Sequence, residues 1–251
     1  MNTELFDSRI IHKKLDLLND DETYPMMTPS VSNYLPGVEP VLYPEGIGGW
    51  KLTRKCAFYL NDVHYGPSPV NDSDLSYFNV FYAPAPPKRP LQEFQLGTLG
   101  ISPVEPPLVI PPDVVKTYRT QLTLNKDISI LTVNPHMHLL GKSFWAYAIK
   151  PGGDTIRLIR INHWDFRWQY FYTYPHMLYL PAGSTIYVEG VFDNTKDNPR
   201  NPFSPPRIVR ERNGSMRTTD EMFQFIVTYL PYQPGDEKIS LEGTVIKPHP
   251  F

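Results

Sequence analysis

Proline constrains this chain more than any other residue, because 28 prolines are spread along all 251 residues rather than confined to a tail. A proline inside a helix removes a backbone hydrogen bond and clashes with the preceding turn, whereas turns and strand edges accept it. Long helices are therefore not expected. Aromatic residues make up 13% of the chain and are interleaved with Val, Ile and Thr, which is typical of half-buried strands. The sequence predicts an all-β protein.

The charge balance argues against a nucleic-acid partner. There are 24 Lys and Arg residues against 26 Asp and Glu, a formal net charge of −2, whereas nucleic-acid binders carry a basic excess. The longest apolar stretch, residues 223–230, is far shorter than the roughly 20 residues of a membrane-spanning helix, so no transmembrane segment is expected. The first residues lack a basic region followed by an apolar one, so we expect no signal peptide in this chain.

Dense proline runs divide the chain. We expect a first β-sandwich over residues 1–100, a Pro-rich linker over 101–112 and a second β-sandwich over 113–251. In the first part, strands are predicted at residues 55–65 and 76–83. In the second part, they are predicted at 116–124, 128–138, 143–150, 155–161, 169–174, 185–193 and 222–230. Short strands separated by regular turn signals indicate antiparallel sandwiches or jelly rolls.

A histidine pair is the first candidate for chemistry. His136 and His138 lie two residues apart within a predicted strand. The period of two in a strand places both imidazoles on the same face, close enough to share one metal ion. The alternative is that both are polar residues on the wet face of an edge strand, since the spacing H-x-H is common.

A methionine supplies a possible third ligand. Met222 begins an apolar strand, and a thioether is a soft donor that favours Cu(I) over zinc, magnesium or calcium. Two histidines and a methionine therefore indicate copper. Taken alone, Met222 is more typical of core packing than of a ligand, because methionine fills irregular gaps. A zinc-binding or cupin-like jelly roll would need a carboxylate or a further histidine near His136, and the sequence shows neither beside it.

Two more histidines precede the linker. His12 and His64 have no partner nearby in the sequence, and each fits a capping or surface histidine. The aromatic segment at residues 164–170, by contrast, is expected to pack in a sandwich core rather than to stack on a cofactor.

Several motifs of the C-terminal half together resemble the copper type II, ascorbate-dependent monooxygenases, the family of peptidylglycine α-hydroxylating monooxygenase and dopamine β-monooxygenase, and look closest to its bacterial members. The motifs are PHMHLLGK at 135–142, WDFRWQ at 164–169, FDNT at 192–195 with two Asn-Pro pairs up to residue 202, and TDEM at 219–222. They cover about residues 116–232. The resemblance implies that His136, His138 and Met222 bind the copper at which dioxygen is activated.

The resemblance to the family's other copper domain implies roles for residues of the N-terminal half. His64, in VHYGP, matches its lone histidine, and His12 matches the first member of a His-His pair. The second member is Lys13, and a protonated lysine has no lone pair with which to bind copper. The second, electron-transferring copper site is therefore expected to be degenerate, and the first domain to be truncated or remodelled.

The resemblance also implies a reaction and a setting. We expect hydroxylation of a C–H bond in a small organic substrate by O₂, with ascorbate as reductant or a redox partner, in a secreted or periplasmic protein. The peptide-amidating members hold their substrate's carboxylate with an arginine two residues before the histidine pair. Asn134 stands there in this chain, so a peptidylglycine substrate is not expected. The alternative is a non-catalytic copper-binding sandwich.

Overall fold

The computed structural model describes residues 43–44, 47–50, 70–71, 73, 75, 77, 79–80, 82–83, 85–212 and 217–242. This part of the chain contains ten strands and one short 3₁₀ helix, residues Asp236–Lys238. The strands are β1 (Gln92–Gly97), β2 (Val109–Ile110), β3 (Val115–Thr123), β4 (Ile128–Met137), β5 (Gly141–Ile149), β6 (Thr155–Ile161), β7 (Tyr172–Leu180), β8 (Thr185–Asp193), β9 (Val209–Arg210) and β10 (Phe223–Pro231). No helix in the described ranges is long and apolar enough to cross a membrane.

The strands form two four-stranded sheets that pack face to face. Sheet I has the order β1-β10-β4-β7 and sheet II has the order β3-β8-β5-β6, while β2 and β9 form a small separate ladder. All of the strand pairs are antiparallel. The described part of the chain is therefore an all-β sandwich, the fold class that the proline distribution and the strand pattern predicted.

One hydrophobic core lies between the two sheets. In β8 of sheet II, and in β5 of the same sheet from Phe144 onward, every second residue is buried, which is the alternation of strands with one face in a core. Phe144 and Phe192 from this sheet meet Phe223 of sheet I, with ring centroids 5.6 and 5.9 Å apart. Each fully buried ring contributes about 1.5–3 kcal/mol from its removal from water, so these contacts stabilise the joining of the sheets.

The central strands of sheet I are buried on both faces. Eight successive residues of β10 are buried, so the burial pattern itself shows no period of two. Opposite residues of an antiparallel pair point to the same face. Met137 pairs with Phe223 and both belong to the core, whereas the next pair, His136 with Gln224, points to the other side. We call that side the outer face of sheet I.

The outer face is covered by other parts of the chain. Ile47 and Trp50 pack against a second cluster of buried residues that includes Leu131 and Leu230. The hydroxyl of Tyr43 lies 2.9 Å from that of Thr132 on β4. Residues well before the sandwich strands therefore contribute to the burial of sheet I.

The sandwich begins earlier than the predicted second domain. Strand β1, which lies in the predicted first domain, pairs along its whole length with β10. Leu108 and Ile110 of the predicted linker are fully buried in the core, and β2 pairs with β9. β1 hydrogen-bonds along one side of β10, although the two strands are about 130 residues apart in the sequence. Without β1, that side of β10 would be an unpaired edge of sheet I.

Two strand predictions differ from the structure. The predicted strand 169–174 begins at Tyr172 and continues to Leu180. The strand continues through Pro175 because β7 is an edge strand with a register irregularity beside this proline, and edges and bulges accept proline. The prediction of a strand at 76–83 is wrong at residues 77, 79–80 and 82–83, which are described and lie in no strand. The predicted strand 55–65 falls outside the described residues.

Candidate metal centre

The histidine pair lies where β4 ends. His136 is the last residue but one of the strand and is half-buried, while His138 follows the strand and is 3% exposed. Their ring centroids are 5.0 Å apart and the ring planes meet at 85°. The two imidazoles are therefore neighbours, as expected for residues two apart on an extended chain.

Met222 lies across from this pair. Phe223, the first residue of β10, pairs with Met137. Met222 precedes that pair on one strand and His138 follows it on the other, so the two residues stand at corresponding positions just beyond the ladder. Side chains of a strand alternate between its two faces. Continued one residue past the end of each strand, this alternation places Met222, His136 and His138 on the same face of sheet I. Met222 is 3% exposed.

A hydrogen bond to the backbone orients the ring of His138. Its Nδ1 lies 2.9 Å from the backbone carbonyl oxygen of Asp220. Histidines that bind metals commonly donate their other ring N–H to a carbonyl or carboxylate, which sets the tautomer and the ring orientation. With Nδ1 engaged in this way, coordination of a metal by His138 would use Nε2.

A buried carboxylate joins the two strand ends. Glu221 is 1% exposed and accepts hydrogen bonds from the backbone N–H groups of His138 at 2.9 Å, Leu140 at 2.7 Å and Met222 at 3.3 Å. Burial raises the pKa of Glu221 to about 8, although the backbone hydrogen bonds from Leu140, His138 and Met222 act in the opposite direction. Sequence reasoning missed this residue. Its position immediately before Met222 in TDEM was the available signal.

The aromatic segment 164–170 lies against the histidines. The ring of Phe166 stands edge-on to His138, with 5.6 Å between centroids and 89° between planes. Trp164 is 3% exposed, belongs to the core and donates from Nε1 to the carbonyl of His138 at 3.2 Å. The expectation of core packing holds for Trp164. Trp168, by contrast, is 57% exposed.

Salt bridges between Asp165 and two arginines hold segment 164–170 in place. Asp165 accepts hydrogen bonds from the side chains of Arg167 and Arg200, at 2.9 Å in each salt bridge. The side-chain hydrogen bond from Arg167 is the main reason that the pKa of Asp165 is lowered to about 2, with its backbone N–H and Arg200 acting in the same direction. Arg200 also donates to the backbone carbonyl of Trp164 at 2.6 Å.

Other ligand sets have less support. Among the residues that the structure describes, no three His, Cys, Asp or Glu side chains are grouped as a metal site would require. The described residues around His136 therefore do not supply the additional carboxylate or histidine side chain of the zinc-binding alternative. His12, Lys13 and His64 fall outside the described residues.

The comparison with protein families bears on the same region. Residues 103–241 match the family described as copper type II ascorbate-dependent monooxygenase, C-terminal domain. This range covers more than half of the chain and runs from before β2 to beyond β10, so it includes the histidine pair, segment 164–170 and Met222. No curated protein matches the chain. On the strength of the family match, the chain belongs to the copper type II ascorbate-dependent monooxygenases.

Proposed function

We propose that this chain is a copper-dependent monooxygenase that hydroxylates a C–H bond of a small organic substrate, with O₂ as oxidant and ascorbate as reductant. The observation that supports the proposal is the position of His136, His138 and Met222 at the same end of the β4–β10 ladder, inside the region that matches the family. These three residues are the proposed copper ligands.

The donor set fits copper. Two imidazoles and a thioether form a set of borderline and soft ligands, which suits Cu(I) better than zinc, magnesium or calcium. The carbonyl of Asp220 supplies the outer hydrogen bond that a metal-binding histidine normally has. Three protein ligands also leave a coordination position for a reactant.

A copper ion held there would supply the activation of dioxygen. In the overall reaction one oxygen atom enters the substrate C–H bond as a hydroxyl group and the other leaves as water, with two electrons from ascorbate and two protons completing the balance. The protein's own residues bind and orient. Asp220 orients His138, and Phe166 together with Trp164 shields the inner side of this histidine from water. His136 is half-buried and is therefore the more accessible of the two imidazoles.

The proposal includes a second copper, bound by His12 and His64, which would deliver the electrons. If that site is degenerate, an external redox partner would deliver them instead. The family's setting supports a secreted or periplasmic location. The second candidate function is a non-catalytic copper-binding sandwich, and Lys13 favours it because an ammonium group cannot replace the missing histidine.

Copper stoichiometry, measured together with ascorbate-dependent oxygen uptake, tests the proposal. We expect the unaltered protein to bind copper and take up oxygen. His136→Ala should abolish the uptake and lower the copper stoichiometry by one. One bound copper without uptake would favour the non-catalytic function, and protein that binds no copper would overturn both. Lys13→His is expected to raise the stoichiometry from one to two if the second site keeps the family's geometry.

A further inference from the structure

Glu221 holds together the two chain segments that carry the candidate copper ligands. We propose that Glu221 is a positioning residue whose carboxyl group fixes His138 and Met222 relative to each other, so that the copper site is assembled before metal binds. This inference rests on the proposed function, because it concerns the same three ligands.

The contacts of Glu221 are directed at the ligand segments. One carboxylate oxygen accepts from the backbone N–H of His138 at 2.9 Å and from that of Met222 at 3.3 Å, and the other accepts from Leu140 at 2.7 Å. One oxygen atom therefore touches the main chain of both ligands. Three hydrogen bonds to one buried side chain connect the two strand ends, so they restrict the movement of these ends relative to each other.

Asp220, the residue before Glu221, also contacts His138. The carbonyl of Asp220 engages Nδ1 of His138 while Glu221 engages its backbone N–H. The dipeptide thus fixes both the ring orientation and the main-chain position of one ligand, and it leads directly into the other ligand. The two positions it links are more than 80 residues apart in the sequence, and β4 with β10 pairs only as far as Met137 and Phe223. Beyond that pair, hydrogen bonds to the Glu221 side chain, rather than ladder hydrogen bonds, connect the two segments.

A buried carboxylate elsewhere in the sandwich offers a matched control. Asp236 is 2% exposed and accepts hydrogen bonds from Arg89, Ser129 and the backbone N–H of Gln233. It braces the opposite end of sheet I, next to Pro231 at the end of β10. Replacing Asp236 by Asn therefore disturbs a buried carboxylate of the same fold without touching the ligand segments.

The test compares Cu(I) affinity, by competition titration, in the unaltered protein, Glu221→Gln and Asp236→Asn. An amide at position 221 cannot accept all three hydrogen bonds, because its NH₂ group opposes one of the backbone N–H groups. Loss of an outer-shell partner typically lowers metal affinity by about 10–100-fold, and we expect at least a tenfold loss in Glu221→Gln. Asp236→Asn is expected to stay within threefold of the unaltered protein. X-ray absorption at the copper edge should show weaker sulfur scattering in Glu221→Gln alone.

The outcomes separate this inference from the proposed function. If the unaltered protein binds no Cu(I), the proposed function fails. If it binds Cu(I) and Glu221→Gln binds as tightly with the same sulfur scattering, or if Asp236→Asn loses as much affinity, the positioning role is overturned. Should Glu221→Gln not fold, hydrogen exchange in the unaltered, metal-free protein decides: the amides of His138 and Leu140 are expected to exchange slowly, and rapid exchange overturns the proposal.

Discussion

The side-chain amide of Asn134 donates to the backbone carbonyl of Tyr170 at 2.8 Å. Asn134 is 3% exposed and lies on β4 two residues before His136, so this hydrogen bond fastens the segment 164–170 beside the histidine pair. The peptide-amidating members that the sequence resembles place a substrate-binding arginine at this position. In this chain the position instead supports the architecture around the candidate metal centre.

Asn134→Leu is expected to lower the free energy of unfolding by about 1–3 kcal/mol, because the carbonyl of Tyr170 loses its buried donor. Urea denaturation measures the change. Asn162→Leu, at an exposed position, should alter the free energy by less than about 0.5 kcal/mol. Equal effects of the two substitutions would show that the Asn134 hydrogen bond contributes nothing specific.

Met222→Ile is expected to keep the fold and to weaken Cu(I) binding strongly, because it removes the sulfur and nearly conserves volume. Such a swap costs less than about 1.5 kcal/mol of unfolding free energy. Met177→Ile is the control, since Met177 is 2% exposed in the second hydrophobic cluster. Unchanged Cu(I) affinity in Met222→Ile, by competition titration, would remove the methionine from the proposed ligand set.

Gly141→Ala is expected to destabilise the protein by about 1–3 kcal/mol through overpacking. A Cβ atom at Gly141 would lie 2.5 Å from Cδ1 of Trp164, and this indole hydrogen-bonds the carbonyl of His138. Thermal unfolding followed by circular dichroism measures the loss. Gly152→Ala provides the control, because a Cβ there meets no atom within 4 Å. A wild-type midpoint in Gly141→Ala would contradict the tight contact.

Stability is expected to fall in acid through Asp236. Burial by itself would raise the pKa of this carboxyl, but hydrogen bonds from Arg89, Ser129 and the backbone of Gln233 outweigh burial and hold the pKa below its ordinary value of 3.8. A lowered pKa in the folded state means that the stabilisation is complete above the unfolded-state pKa and is lost as the pH falls through the folded-state pKa.

Denaturation midpoints between pH 6 and pH 2 should therefore decline less steeply in Asp236→Asn than in the unaltered protein. At pH 7 the variant is expected to lose about 3 kcal/mol, because Arg89 is left without its buried partner. Parallel pH profiles of the two proteins would show that Asp236 does not titrate as its contacts imply.

Local sequence patterns predicted much of this fold. Prolines excluded long helices, and strand-forming segments separated by turn signals located β3, β5, β6 and β8, because both signals lie in neighbouring residues. The strand period of two placed His136 and His138 side by side, and the soft sulfur of Met222 selected copper as the metal to consider.

The structure decided what depends on contacts between distant segments. Examples are the pairing of β1 with β10 and the continuation of β7 past Pro175. The hydrogen bonds of Asn134 and Glu221 likewise join segments that are far apart in the sequence. Glu221 lies 83 residues from the backbone N–H of His138 that it binds, and a charged residue inside a sequence gives no sign that it will be buried. The sequence by itself determined the strands and the donor chemistry, because these follow from neighbouring residues. Only the tertiary structure placed the candidate ligands at one end of the β4–β10 ladder and Glu221 in contact with both segments, because burial and hydrogen bonding arise when distant strands pair.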